Sequence, residues 1–233
     1  MKKTLTSVLL GAGLAVSSVQ AFADISANVS LTSDYRFRGI SQTAGDAVVQ
    51  GSLDVAFDNG ISAGIWGTNL DYGSDDDSKM EIDYYVGYDA DINDDFSYNV
   101  TLAYFTYPGK DDGDTDYLEV SGSLFYGDLG LTYAYTDDYS NSGESGSYVA
   151  VDYSYAINDD ISLDLHAGHS FGDYWGDVDI QDYEDYSVGV SGSYAGLDLS
   201  AAYLFNSIED ADETNTGAFR NDETLVLTVS RSF

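Results

Sequence analysis

Hydrophobic and polar residues alternate with a period of two along most of this chain. Within residues 117–126, Leu118 and Val120 alternate with Glu119 and Ser121. The same alternation recurs in other segments, among them 147–157, 185–194 and 223–233. Successive side chains of a β-strand point to opposite faces of the sheet. The pattern therefore predicts strands that have one apolar face and one polar face.

The number and spacing of these segments indicate the architecture. Twelve segments begin near Ile25, Val48, Ile61, Met80, Phe96, Tyr117, Leu129, Ser147, Ile161, Tyr183, Leu197 and Asp222. Their spacing leaves room for strands of about ten residues, the length that crosses an outer membrane in a tilted barrel. We predict an all-β fold, a transmembrane antiparallel up-and-down β-barrel of about 12 strands.

The connections between the segments alternate between short and long. Short connections rich in Gly, Asn and Asp lie at 58–60, 93–95, 127–128, 158–160 and 195–196. Longer connections lie at 39–47, 73–79, 108–116, 137–146, 171–182 and 206–221. Outer-membrane barrels have tight turns at the periplasmic end and longer loops at the outer end. The alternation predicts the same arrangement here.

A soluble β-barrel or β-sandwich also shows a period of two, so composition must separate the alternatives. The polar positions carry mainly small or acidic residues, and lysine is rare. Small side chains suit the inside of a closed barrel. Aromatic residues lie toward the ends of the apolar stripes, where membrane interfaces favour them; these are Tyr35, Phe37, Phe57, Tyr84, Tyr88, Phe96, Tyr104, Tyr126, Tyr135, Tyr155, Tyr194, Tyr203 and Phe205. Both features favour the membrane barrel.

The first residues resemble an export signal. Lys2 and Lys3 precede a short apolar run at 8–16, and Ala21-Phe22-Ala23 fits a signal-peptidase site. We predict a signal peptide at 1–23 and an outer-membrane β-barrel at 24–233. No later stretch reaches the roughly 18 consecutive apolar residues of a membrane-spanning helix.

Charge and composition exclude several classes of function. The chain has 8 Lys+Arg against 41 Asp+Glu, a formal net charge of −33, so phosphate repulsion argues against a nucleic-acid partner. The chain has no cysteine, which excludes disulfide scaffolds and thiolate sites. No phosphate-binding glycine loop is present. We predict no cofactor.

Two segments resemble a known family. Residues 28–43, Asn-Val-Ser-Leu-Thr-Ser-Asp-Tyr-Arg-Phe-Arg-Gly-Ile-Ser-Gln-Thr, and residues 63–69, Ala-Gly-Ile-Trp-Gly-Thr-Asn, resemble the opening of the TorF family of porin-like proteins, the Gcw_chp domain family. The ending Arg231-Ser232-Phe233 resembles the aromatic terminus that the barrel-assembly machinery recognises. The resemblance implies an outer-membrane location and a channel role, without a characterised substrate.

The lumen carries the candidate functional residues. If the apolar stripes face lipid, the inward positions include Asp34, Arg36 and Arg38 on the first strand. Later strands contribute Asp54, Glu81, Asp83, Asp89, Glu119, Asp152, Asp164 and Asp198. Because acidic linings favour cations, we predict a porin-like channel for ions or small solutes with a weak cation preference. An alternative of equal weight is that some of these acids pair with the two arginines or face water near the rims. Inward Tyr85, Phe125 or Tyr148 would block so narrow a tube.

Acidic loops provide an alternative function. Asp75-Asp76-Asp77 and the acidic run at 111–116 offer hard oxygen ligands for Ca²⁺ or Mg²⁺, although the spacing lacks the glycine and distal glutamate of a calcium loop. Such runs are more often a solvated face, and we assign no metal site. Divalent bridging to lipopolysaccharide would suit a non-conducting structural or adhesin-type barrel.

A lipid hydrolase is the remaining alternative. Such an enzyme needs a histidine beside a serine nucleophile, and the only histidines are His166 and His169. Ser170 shares the face of His166, but four residues of strand place it roughly 13 Å away. We therefore predict no enzyme activity, with His166 in the lumen and His169 at the membrane interface.

Overall fold

Twelve antiparallel strands close into one barrel. The computed structural model describes residues 23–72, 78–110, 115–178, 180–208 and 220–233. The strands are β1 (Ala23–Thr32), β2 (Arg36–Phe37), β3 (Ile40–Ser41), β4 (Val48–Phe57), β5 (Ile61–Asn69), β6 (Met80–Asp91), β7 (Phe96–Thr106), β8 (Tyr117–Tyr126), β9 (Leu129–Thr136), β10 (Gly146–Ala156), β11 (Ile161–Phe171), β12 (Tyr183–Tyr194), β13 (Leu197–Asn206) and β14 (Thr224–Ser232). A 3₁₀ turn spans Tyr139–Asn141, and helix α1 spans Asp173–Asp177. The short strands β2 and β3 form a separate hairpin.

Each barrel strand pairs with its neighbour in sequence, and β1 closes the ring against β14. At the closure, Asn28 lies opposite Ser232 and Thr32 lies opposite Thr228. The predicted barrel class is confirmed, and the strands begin within two residues of the predicted positions. The signal-peptide prediction lies outside the described residues except at Ala23, and so do Asp75-Asp76-Asp77 and residues 111–114.

Asparagine side chains explain why two of the short turns form where predicted. The Asn93 Oδ1 accepts hydrogen bonds from the backbone N–H groups of Asp95 (2.9 Å) and Phe96 (3.1 Å). Asn158 caps the turn at 158–160 in the same way, through the N–H groups of Asp160 and Ile161. The side chain thus supplies acceptors that the reversed backbone would otherwise lack. We call this end of the barrel the turn end and the opposite end the loop end.

The outer surface is an apolar belt. On β8, Leu118 is 50% exposed, Val120 44% and Tyr126 55%, and the other barrel strands show the same outward apolar residues. An exposed apolar surface this extensive is stable only against lipid or another apolar phase. The soluble-sandwich alternative fails because it requires these side chains to be inside. None of the helices among the described residues is long and apolar enough to cross a membrane.

The loop end of the lumen is filled by packed side chains. Buried apolar residues from strands and connections meet there, a group we call the outer cluster: Ile40, Phe105, Tyr117, Tyr139, Trp175, Ile180 and Tyr183. Phe105 and Tyr117 stack at 4.7 Å, and Tyr117 stacks on Tyr139 at 5.0 Å. Connections that precede β4, β10 and β12 therefore fold inward over the mouth.

The structure corrects the expected membrane-interface position of Tyr35 and Phe37. Tyr35 is buried against Val48 and Leu70, and Phe37 packs against both this group and the outer cluster. Both rings pack inside the barrel mouth because the chain leaves the barrel wall after Thr32.

Candidate solute pathway

The connection between β1 and β4, residues 33–47, turns into the lumen. We call it the inner loop. Arg38 (φ 49°) and Gly39 (φ 83°) form the two-residue turn of its β2–β3 hairpin, and both have the left-handed backbone that such turns require. A Cβ on Gly39 would lie only 2.8 Å from the Asp185 Cβ, so only glycine allows the turn to approach β12 this closely.

Asp34 organises the inner loop. Its carboxylate accepts hydrogen bonds from the Ser41 Oγ (2.6 Å), the Thr43 Oγ1 (3.1 Å) and the Arg36 Nε (2.5 Å). Arg36 also donates to the backbone carbonyl of Asp222 at 3.0 Å. Asp34, Arg36 and Arg38 were predicted to lie on the first strand, but they lie beyond its end at Thr32. Asp34 and Arg36 fix the loop's shape.

Arg38 reaches from the inner loop to the opposite side of the barrel. Its guanidinium donates to both carboxylate oxygens of Glu119 on β8, at 2.8 and 2.7 Å. The same group lies over the rings of Phe37 (4.6 Å) and Tyr148 (4.5 Å). Burial lowers the pKa of Arg38, but the carboxylate of Glu119 outweighs it, and the net pKa is raised. Arg38 is therefore charged and anchored.

Two further acids lie on the barrel wall beneath the inner loop. Glu81 and Asp83 on β6 are buried, and Tyr107 donates to the Glu81 Oε1 at 3.5 Å. Burial raises the pKa of Tyr107, and the negative charge of Glu81 raises it further. Burial also raises the pKa of Tyr35, with Glu81 and Asp83 adding to the effect. These tyrosines are neutral neighbours of the two carboxylates.

The other predicted lumen acids toward the turn end have neutral partners. Asp54 accepts hydrogen bonds from Tyr85 and from the Ser52 Oγ. The remaining three bond in the same way: Asp89 to Asn99, Asp164 to Ser154 and Asp198 to Ser193. The hydrogen-bond donors to these four acids are all neutral side chains, and no arginine or lysine pairs with them among the contacts of the described residues.

His166 connects two acids across three strands. Its Nδ1 lies 2.7 Å from the Asp152 Oδ1, and its Nε2 lies 2.8 Å from the Asp185 Oδ2. Tyr148 donates to the same Asp185 oxygen at 3.1 Å. With both ring nitrogens facing carboxylates, the ring has no free position to accept a proton from a serine.

Asp185 was not among the lumen residues predicted from the sequence. It directly precedes Tyr186, which alternation places on the outer face, so the same period would have placed Asp185 inside. Among the described residues, no group of three or more His, Asp or Glu side chains is arranged to hold a metal ion.

Comparison with known proteins places the chain in a family. A family model described as a bacterial protein of unknown function (Gcw_chp) matches residues 17–233. This chain belongs to the Gcw_chp family. No curated protein matches the Gcw_chp chain in sequence.

Solved outer-membrane barrels share the fold of this Gcw_chp chain. The NanC porin is 11% identical, with 89% of this chain and 98% of that chain covered and a TM-score of 0.54. The KdgM porin is 11% identical, with 91% and 99% covered and a TM-score of 0.53. An outer membrane channel from Pseudomonas putida F1 is 13% identical, with 93% and 97% covered and a TM-score of 0.52. The Gcw_chp chain therefore has a porin-like β-barrel fold.

Proposed function

We propose that this Gcw_chp protein is an outer-membrane channel that prefers small cations and is narrowed at its loop end by the inner loop. The observation that carries the proposal is the unequal pairing of charges in the lumen. Arg36 and Arg38 are held by Asp34 and Glu119, whereas the acids toward the turn end are bonded to neutral side chains. Uncompensated acids lining a pore favour cations.

Ion selectivity tests this proposal. In planar bilayers with a KCl gradient, we expect single-channel steps and a reversal potential of cationic sign. The double substitution Asp54→Asn/Asp164→Asn should lower the cation-to-anion permeability ratio by about twofold, because two lining charges are removed. A matched control, Asp58→Asn, changes an exposed acid in a tight turn and should leave the ratio unchanged. A reversal potential of anionic sign would contradict the acidic-lumen argument.

A non-conducting structural barrel is the second candidate, and the outer cluster favours it. Ile40 of the inner loop is buried against side chains from several strands, so the loop end is packed rather than open. The two candidates differ in what happens when the inner loop is released. A channel then conducts more, whereas a structural barrel remains silent in every variant. The acidic loops invoked for divalent binding lie mostly outside the described residues.

The lipid-hydrolase alternative receives no support from the arrangement at His166. Both nitrogens of the ring are within 2.8 Å of carboxylate oxygens. We accordingly propose a transport role without a catalytic step. Esterase activity that disappears in His166→Ala would overturn this part of the proposal.

A further inference from the structure

Two carboxylates on β6 each have one oxygen atom that accepts no hydrogen bond from the described residues. Glu81 and Asp83 are two residues apart, so both side chains point into the lumen at its loop end. Glu81 is 3% exposed and Asp83 is 9% exposed. The Glu81 Oε2 and the Asp83 Oδ1 have no hydrogen-bond partner among the described residues. Buried acceptors without donors are costly, so each such atom requires an explanation.

Aromatic residues neighbour the two carboxylates. In the sheet register, Asp83 lies between Trp66 on β5 and Phe105 on β7. Tyr107 donates to Glu81, and Tyr35 of the inner loop packs on Trp66 with ring centroids 5.4 Å apart. Carboxylates beside aromatic rings suit an organic cation, because aromatic rings also attract positive charge.

The cation that this arrangement suits must bring hydrogen-bond donors. Arg38 of the inner loop does not supply these donors, because its guanidinium is bound to both oxygens of Glu119. No three-carboxylate metal group exists among the described residues. A primary ammonium group carries one positive charge and three N–H donors. A quaternary ammonium group has the charge but no donor, so it would leave both oxygens unsatisfied.

We propose that Glu81 and Asp83 form a binding site for the primary ammonium group of a small organic amine. The inference rests on the proposed function, because the amine reaches the site through the lumen. Its ammonium group donates to the Glu81 Oε2 and the Asp83 Oδ1, and its alkyl part packs against Trp66 and Phe105. Tyr35 covers the site from the inner loop, so binding and the position of that loop are coupled.

Calorimetric titration of the full chain in detergent micelles tests the site. The probes are butylamine and tetramethylammonium, which carry the same charge but differ in N–H donors. We expect saturable binding of butylamine and binding of tetramethylammonium that is weaker by about tenfold or more. Glu81→Gln and Asp83→Asn should each weaken butylamine binding by a similar factor.

Asp91→Asn is the matched control, because it removes the same charge from the exposed turn end of the same strand, β6, and should leave butylamine affinity unchanged. Retained heat-modifiable migration on a denaturing gel shows that each variant still forms the barrel. A second readout is fluorescence of Trp66 in the Trp175→Phe variant, which leaves Trp66 as the sole tryptophan. We expect its emission to change with butylamine and not with tetramethylammonium.

Equal affinity for the two cations, or butylamine binding that is insensitive to both substitutions on β6, would overturn the inference. Bilayer recordings separate this result from the proposed function. Cation-selective steps without butylamine binding reject the amine site alone. Saturable butylamine binding by a barrel that never conducts supports the site and rejects the channel.

Discussion

Arg38 shows how much one side chain determines at the loop end. It joins the inner loop to Glu119 on the far wall through two short hydrogen bonds, and two aromatic rings cover it. Side chains of both partners are only 8% exposed. A buried ion pair adds little net stability when intact, but removing one partner leaves an uncompensated charge.

The Arg38→Gln substitution should therefore lower the free energy of unfolding by about 3 kcal/mol, because Glu119 is left charged and buried. Urea titration of the detergent-solubilised barrel, followed by gel migration, measures the change. The double variant Arg38→Gln/Glu119→Gln removes the orphaned charge and should recover most of the loss. Glu119→Gln alone completes the set, and a double-variant effect equal to the sum of the two single effects would show that the pair does not interact.

The position of the inner loop determines whether the mouth of the barrel is filled or open. Its hairpin inserts Ile40 into the outer cluster and is also tied to the neighbouring connection by the bond from the Ser41 N–H to the Arg220 carbonyl, at 2.8 Å. Buried apolar contacts hold this loop in place, and a polar group introduced there would lack a partner.

Ile40→Asn should release the inner loop and raise single-channel conductance by about twofold or more, since an unpaired amide in the outer cluster disfavours the docked position. Planar-bilayer recording provides the measurement. The control is Ile92→Asn, in an exposed tight turn, which should conduct like the parent protein. Lack of steps in both the parent and the Ile40 variant would reject the channel and favour the structural barrel.

The sequence predicted the strands well and the inner loop poorly, for a physical reason. Strand starts follow from alternation bounded by turn residues, and both signals are local. Residues 34–38 also alternate, Asp-Tyr-Arg-Phe-Arg, so they resemble a continued first strand. The long-range contacts of Arg38 with Glu119 and of Ile40 with the outer cluster carry no local signal. The sequence therefore indicated which acids and arginines matter without showing where they meet.

At the scale of the whole molecule, the apolar belt and the acidic lumen impose opposite requirements on adjacent residues. Val188, near the middle of β12, is 49% exposed and faces outward, whereas its neighbour Ser187 faces the lumen opposite His166. Charge on the lipid face of a barrel costs free energy, while charge in the lumen changes selectivity.

Val188→Arg should lower barrel stability in lipid by roughly 2–4 kcal/mol, because the guanidinium would sit near the bilayer midplane. Ser187→Arg, one residue away, should leave stability nearly unchanged and reduce the cation preference. Folding into vesicles under a urea series and reversal potentials in bilayers give the two readouts. If both variants lose stability equally, the assignment of the two faces is wrong.

The seam between β1 and β14 also determines how the molecule must assemble. Asn28 donates to the Ser232 Oγ across a sequence separation of 204 residues, and Ala27 and Phe233 exchange two backbone hydrogen bonds. Before β1 and β14 pair, each of them has an edge of backbone N–H and C=O groups without hydrogen-bond partners, which is unfavourable in bilayer hydrocarbon. Membrane insertion and barrel closure must consequently proceed together, because a partly formed, open sheet is unstable in the lipid.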